Sequence, residues 1–310
     1  MFKTLWKGSA PLTATGLLMV GALLVAVAGL TLDPRIITGA PAWLKPAKFA
    51  VSIAIYTFTL AWIFTLIPEW PRTRRTVGWM TAVAMIVEVV IIDLQAFRGT
   101  TSHFNVATAV DGVLFAIMGI AILAQTLSSI AVAVALWRHR FEDAALGWAL
   151  RLGMIITIVG AMTGGLMTRP TGQQLDAARA GETMTRVGAH TVGAPDGGPG
   201  LPGTGWSTAH GDLRVPHFLG LHALQALPLF AFVLARRRLS DVVRVRFTVI
   251  AAASYFALFG ILVWQALRGQ SMLAPDALTI ALFGVLVFGT AGAAAAAVLR
   301  PRAARTLIVA

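Results

Sequence analysis

Glu88, Ile92 and Gln95 are spaced i, i+4, i+7, so on a helix they share one face, and Glu88 lies inside the apolar run 76–97. A carboxylate in that setting is costly, and where it occurs it commonly marks an ion path or a proton relay. Asp93 lies on the same run and Asp111 near the start of the next, so these three acids are the candidate proton or coupling groups. A second set is cationic: Lys45, Lys48, Arg98, Arg214 and Arg268, with the amides of Gln95 and Gln225 nearby in sequence. Such groups bind a carboxylate, a phosphate, a lipid headgroup or a haem propionate, the arginines through paired hydrogen bonds. A third set is His103, His217, His222 and Met272. Haem needs only one or two axial ligands, so His222 with His103 or Met272 is the candidate pair for haem b, with outer arginines on the propionates. No metal site is expected. There is no HExxH spacing, and His217 and His222, five residues apart, lie about 140° apart around a helix.

The elements that must position these residues are membrane helices. The chain has 310 residues, 57% hydrophobic and 12% charged, with a mean hydropathy of +0.78. Soluble domains carry about 25% charge, so a water-soluble globule is excluded, and disorder is excluded by the same low charge and high hydrophobicity. With no Cys there is no disulfide, thiolate metal site or cysteine nucleophile. A span needs about 20 apolar residues. Eight runs qualify: 11–31, 47–67, 76–97, 106–137, 146–168, 215–235, 247–267 and 276–299. The fourth is long, and Gln125, Thr126, Ser128 and Ser129 mark either a kink or its exit from the bilayer. Residues 169–214 form the one long hydrophilic stretch, rich in Gly and Pro, and read as an external loop, either ordered by packing or loose, rather than a domain. The first run follows Lys3 and Lys7 like a signal peptide, but it is long for one and belongs to the pattern described next.

The net charge of +12 raises nucleic acid as a partner, but topology accounts for most of it. The amino terminus, the even-numbered connections and the tail, which includes Arg300, Arg302 and Arg305, together hold 15 of the 25 cations. By the positive-inside rule both termini are cytoplasmic, no nucleic-acid partner is implied, and the protein is a multi-pass protein of the cell membrane. The remaining cations include pairs at matching offsets. Gln95-Ala96-Phe97-Arg98-Gly99 recurs as Gln265-Ala266-Leu267-Arg268-Gly269, and Lys45-Pro46-Ala47-Lys48-Phe49 aligns with Arg214-Val215-Pro216-His217-Phe218. Val20-Gly21-Ala22 aligns with Val159-Gly160-Ala161, and His103 with Met272. The expected fold is therefore all-α, eight transmembrane helices as two tandem parallel four-helix halves, 1–140 and 141–310, the second carrying the 169–214 loop. Glu88 and Asp93 fall opposite Leu258 and Val263, so the acids belong to one half alone.

This layout resembles that of the haem A synthases. The likeness covers the layout only. That family places histidines on its second, fourth, sixth and eighth helices, whereas here Lys48 stands where the sixth has His217, and the fourth and eighth cores hold none. No residue role is carried over.

Motifs for a P-loop, a dinucleotide site or a GxSxG nucleophile are absent. Three function classes stand. The first is binding or transport of a small anionic or amphiphilic ligand at an external polar site, with Glu88, Asp93 and Asp111 coupling protons. The second is a haem- or quinone-linked redox protein. The third is an enzyme acting on a lipid-borne substrate at the outer interface, with His210, Asp212, His217 or His103 as acid or base. The competing structural reading makes the cations snorkelling anchors and the acids helix glue. Composition and spacing say nothing about oligomeric state.

Overall fold

The computed structural model describes residues 2–299; Arg300, Arg302 and Arg305 lie outside the described residues. Among the described residues the secondary structure is helical apart from four two-residue strands. Among the described residues seven helices are long and apolar enough to cross a membrane, eight if one bent pair counts as a span. Large apolar side chains on their outer faces, such as Leu24, Ile120, Val285 and Phe288, are exposed, as suits helices whose solvent is lipid.

Two compact units are present: residues 1–135 with 165–207, and residues 136–164 with 208–310. The first unit contains α1 (Phe2–Gly8), α2 (Ala10–Leu32), α3 (Leu44–Leu66), α4 (Pro71–Phe97) and most of α5 (Ala109–Arg138). Pro residues in the first turns of α2 and α4 start these helices without losing a hydrogen bond. Between α2 and α3 lies the hairpin of β1 (Ile36–Ile37) and β2 (Ala40–Pro41). Its turn residues Thr38 and Gly39 both have positive φ, 49° and 73°, as a tight two-residue hairpin turn demands. Met19, Ile53, Ala54, Ala84, Met85 and Val89 pack the core of α2, α3 and α4, while Met118 of α5 packs on Ile91 and Ile92. Although Gln125, Ser128 and Ser129 suggested a kink, α5 is unbroken for 30 residues. Gln125 instead bonds Tyr56 Oη at 2.7 Å, so its polarity joins α5 to α3.

The segment after α6 (Ala144–Met162) and α7 (Gly164–Met167) is more ordered than its Gly and Pro content suggests. Thr171 and Gln174 form a reciprocal capping box at the start of α8 (Gly172–Arg179). Further on come β3 (Thr191–Val192) and β4 (Gly211–Asp212).

The second unit holds α6, α9 (Arg214–Leu221), α10 (Ala223–Ala235), α11 (Asp241–Leu267) and α12 (Ala277–Leu299). The sixth apolar run is not one straight helix: α9 and α10 meet at 48° at His222. Backbone groups near the break find side-chain partners: Thr157 Oγ1 donates to Leu221 O and accepts from Leu224 N, and Tyr255 Oη donates to Leu219 O. This is how a break is tolerated at membrane depth. Gly220 lies against the Gly160 backbone so closely that a Cβ on either would sit 2.5 Å from it. Ala149, Ile156, Ala223, Leu227, Ala231 and Ala252 form this unit's core.

Candidate functional site

Two helix ends are built alike. At the end of α4, Gly99 (φ 74°) donates to Ala96 O and Thr100 N to Gln95 O; at the end of α11, Gly269 (φ 72°) donates to Ala266 O and Gln270 N to Gln265 O. Both are Schellman endings, which need a left-handed residue that glycine supplies without strain. They turn Gln95 and Gln265 inward, both buried, and each amide points at a carbonyl six residues on, Thr101 O at 3.5 Å and Ser271 O at 2.9 Å. Arg98 Nη1 bonds Asp111 Oδ1 at 2.7 Å, and Arg268 Nη2 bonds Asp276 Oδ2 at 2.6 Å while covering the Trp264 ring. The Arg268 pairing holds the Asp276 carboxyl well below the usual range.

In the first unit the Arg98 corner leads to a cluster with no counterpart among the described residues of the second. Glu88, on α4, is 3% exposed. Its Oε1 lies 3.3 Å from His103 Nε2, and its Oε2 is buried without a hydrogen-bond partner. His103, in the α4–α5 connection, has Lys45 Nζ at 2.9 Å and Ser102 Oγ at 3.2 Å from Nδ1. An ammonium can only donate, so Nδ1 accepts, and the neutral ring carries its proton on Nε2, facing Glu88. Burial, and the Lys45 charge beside it, hold the imidazole below its ordinary range despite the Glu88 carboxylate. Phe49, Phe104 and Phe115 surround the ring, with centroids 5.8, 6.1 and 6.3 Å away. Lys45 lies in the first turn of α3, while Glu88 is nine residues from the end of α4, about 14 Å along the helix. The row Lys45–His103–Glu88 therefore runs from a helix end towards mid-span.

Beside this row, Asp111 accepts from Gln95 Nε2, Arg98 Nη1 and Thr108 Oγ1 at 2.8, 2.7 and 2.7 Å. Two of these donors come from the end of α4 and one from the connection just before α5, so Asp111 acts as the brace between the two helices. Asp93 joins neither group. Five residues from Glu88, it faces another side of α4, half-buried, with its Oδ1 unpartnered. Lys48 donates to Thr204 O at 2.8 Å in the ordered 165–207 segment.

The second unit places its sequence candidates more diffusely. Arg214 grips Asp212 through Nε and Nη2 at 3.0 and 2.6 Å. The sequence singled out both residues but not their pairing, and it missed the matching fork of Arg35 on Asp33 in the first unit, at 2.9 and 2.6 Å. His217 Nδ1 donates to Gly160 O at 2.9 Å beside Thr163, and His222 Nδ1 donates to Phe218 O at 2.7 Å. His222 sits at the α9–α10 break, so it does not share a continuous helical face with Gln225, which lies half-buried on α10. Met272 lines a small cleft with Asp212, Gln265 and Gln270. For the haem expectation, His103 is the informative residue: both of its ring nitrogens are engaged, so axial ligation would require losing Lys45 or Glu88.

Sequence reasoning missed Asp196, which is 7% exposed at its side chain. It accepts from the His190 and Thr191 amides and from His190 Nδ1, and Arg186 lies 3.9 Å away. Burial alone would raise this carboxyl, but the His190 ring and the backbone donors outweigh it and hold it well below the usual range. The only local signal was two charged residues and a histidine in a Gly/Pro-rich stretch. Neither a known protein family, a characterised protein nor a solved structure matches this chain.

Proposed function

We propose that this is a multi-pass protein of the cell membrane that couples proton movement to the binding or transport of a small anionic or amphiphilic ligand on its external side. The observation that carries the reading is the row Lys45–His103–Glu88, ending on a buried carboxylate oxygen without a partner. A proton transfer along it balances: Lys45 Nζ–H breaks as His103 Nδ1–H forms, and Nε2–H breaks as a proton joins Glu88. Lys45 and Glu88 end neutral. The row resets when Glu88 gives up its proton towards the inside, Lys45 takes one from the outside, and the ring proton moves from Nδ1 back to Nε2, for a net transfer of one proton. Low-dielectric surroundings favour such charge cancellation.

The cationic set singled out in the sequence is already partnered within the protein. Arg98, Arg214 and Arg268 each bond an acid of their own unit, whereas Lys45 and Lys48 have their Nζ groups on His103 and on Thr204 O; an anion bound at any of these cations has to share them with those partners. The matched helix endings at Arg98-Gly99 and Arg268-Gly269 support the tandem parallel halves. On that reading Leu258 and Met272 replace Glu88 and His103 in the second half, and proton chemistry belongs to the first. Cytoplasmic termini follow from the cation distribution and place Lys45 at the external end of the row.

The test is proton uptake into proteoliposomes containing pyranine, with lactate or inorganic phosphate supplied outside as the probe anion. Wild type is expected to acidify the lumen with at least one probe, and Glu88→Gln to lose that response. Equal acidification by both proteins removes Glu88 from the path and overturns the proposal.

A further inference from the structure

The 165–207 segment contains a clasp whose position bears on His103. Residues 185–187 run against 104–106: Val106 N donates to Thr185 O at 3.0 Å, Val187 N donates to Phe104 O at 2.9 Å, and Asn105 and Arg186 form an antiparallel bridge. Phe104, next to His103, is held at φ 62° and is only 2% exposed. A non-glycine residue there is strained and persists only where its surroundings enforce it. The enforcing contacts are the strand-like pairing just described and the Phe104 ring, packed 4.8 Å from His190 and 5.8 Å from Phe115. His190 is in turn held by Asp196, through its ring nitrogen at 2.8 Å and its amide at 3.0 Å. Gly188 completes the fit, since a Cβ there would lie 2.2 Å from Met167 O.

We propose that Asp196 is a positioning residue for His103, acting through His190 and Phe104 to hold the imidazole between Lys45 and Glu88. A segment distant in sequence is thereby a built part of the site. The charged groups facing His103 are Lys45 from α3 and Glu88 from α4, whereas α5 presents the Phe115 ring and the clasp presents His190 behind Phe104. Asp196 touches neither His103 nor a ligand. Its effect is on the rotamer and tautomer of the neighbouring ring, because releasing His190 removes one wall of the packing that keeps Phe104 in its strained conformation. The inference rests on the proposed role of the Lys45–His103–Glu88 row, but its test does not depend on transport.

The test is nitrogen NMR of the histidine rings, with isotope-labelled protein in nanodiscs titrated over pH. In the wild type, His103 is expected as the Nε2–H tautomer, with a midpoint below the ordinary value of about 6.5. In Asp196→Asn and in His190→Phe, which keeps an aromatic ring on Phe104 but loses the bond to Asp196, the His103 midpoint is expected to rise towards that ordinary value. The Nδ1–H form should also gain population, and Asp196→Glu should restore much of the wild-type pattern. If His190→Phe folds and leaves the His103 tautomer and midpoint unchanged, Asp196 only orders its own loop and the proposal is overturned. The failure of the transport proposal would look different: anion-dependent acidification unaffected by Glu88→Gln, with the His103 shifts intact.

Discussion

Replacing Asp111 with alanine tests whether the brace between α4 and α5 carries energy as its geometry suggests. Asp111 is 4% exposed and accepts three side-chain bonds, including a 2.7 Å ion pair to Arg98. Its removal leaves the fully buried Gln95 amide with only the long 3.5 Å contact to Thr101 O. Breaking a buried pair costs about 3–5 kcal/mol. The half-open Arg98 head, 36% exposed, and the modest average of side-chain bonds in bilayers lower that figure to about 2–4 kcal/mol. This corresponds to roughly 30- to 700-fold in the folded-to-unfolded ratio. The control is Asp276→Ala, which breaks the analogous Arg268 pair where both side chains are more than a third exposed, 37% and 38%; exposed pairs contribute little. Reversible unfolding in mixed detergent and SDS micelles measures both variants. A clearly larger loss for Asp111→Ala is expected. Equal losses would refute the argument that burial, and not the pairing itself, sets the magnitude.

Other expectations follow from single contacts. His103 is held below its ordinary range, so the unfolded chain binds its proton more readily; its contribution is complete above about pH 6.5 and declines as pH falls, and His103→Gln should flatten that slope in melting temperatures measured across pH. Asp196 is held low, so the loop's stability is present above about pH 4 and is lost below it; hydrogen exchange at the His190 and Thr191 amides should accelerate on acidification and already be fast in Asp196→Ala at neutral pH. Gly160→Ala should cost about 1–3 kcal/mol, because the new Cβ meets the Gly220 backbone at 2.5 Å; an unchanged melting temperature would show that α6 and α9 can separate without penalty.

The spans are readable in the sequence because twenty apolar residues leave a helix few alternatives in lipid. The Schellman endings are readable too, because Arg98-Gly99 and Arg268-Gly269 place glycine where a left-handed residue is needed. The break at His222 is not. Pro228 lies within α10, six residues beyond the bend, and what supports the bend is Thr157 and Tyr255 from other helices. Glu88 and Gln95 were placed on one face by spacing, but the partner of Glu88 comes from a connection fifteen residues later and its geometry from a loop about a hundred residues on. Asp93 shows the opposite error: chemical type and proximity grouped it with Glu88, while helical rotation sends it elsewhere. The sequence left the loop either ordered by packing or loose, because Gly and Pro content reports on local freedom and not on the Asp196 contacts that remove it.

Infrared difference spectroscopy on reconstituted protein, recorded on adding lactate or phosphate to wild type, Glu88→Gln and His103→Gln, tests the Lys45–His103–Glu88 row most directly. A carbonyl-stretch band of a newly protonated, weakly solvated carboxyl is predicted in the wild type. It should be absent in Glu88→Gln and much reduced in His103→Gln. Difference spectra that superimpose for all three proteins would show that Glu88 takes up no proton through His103, and would contradict the account.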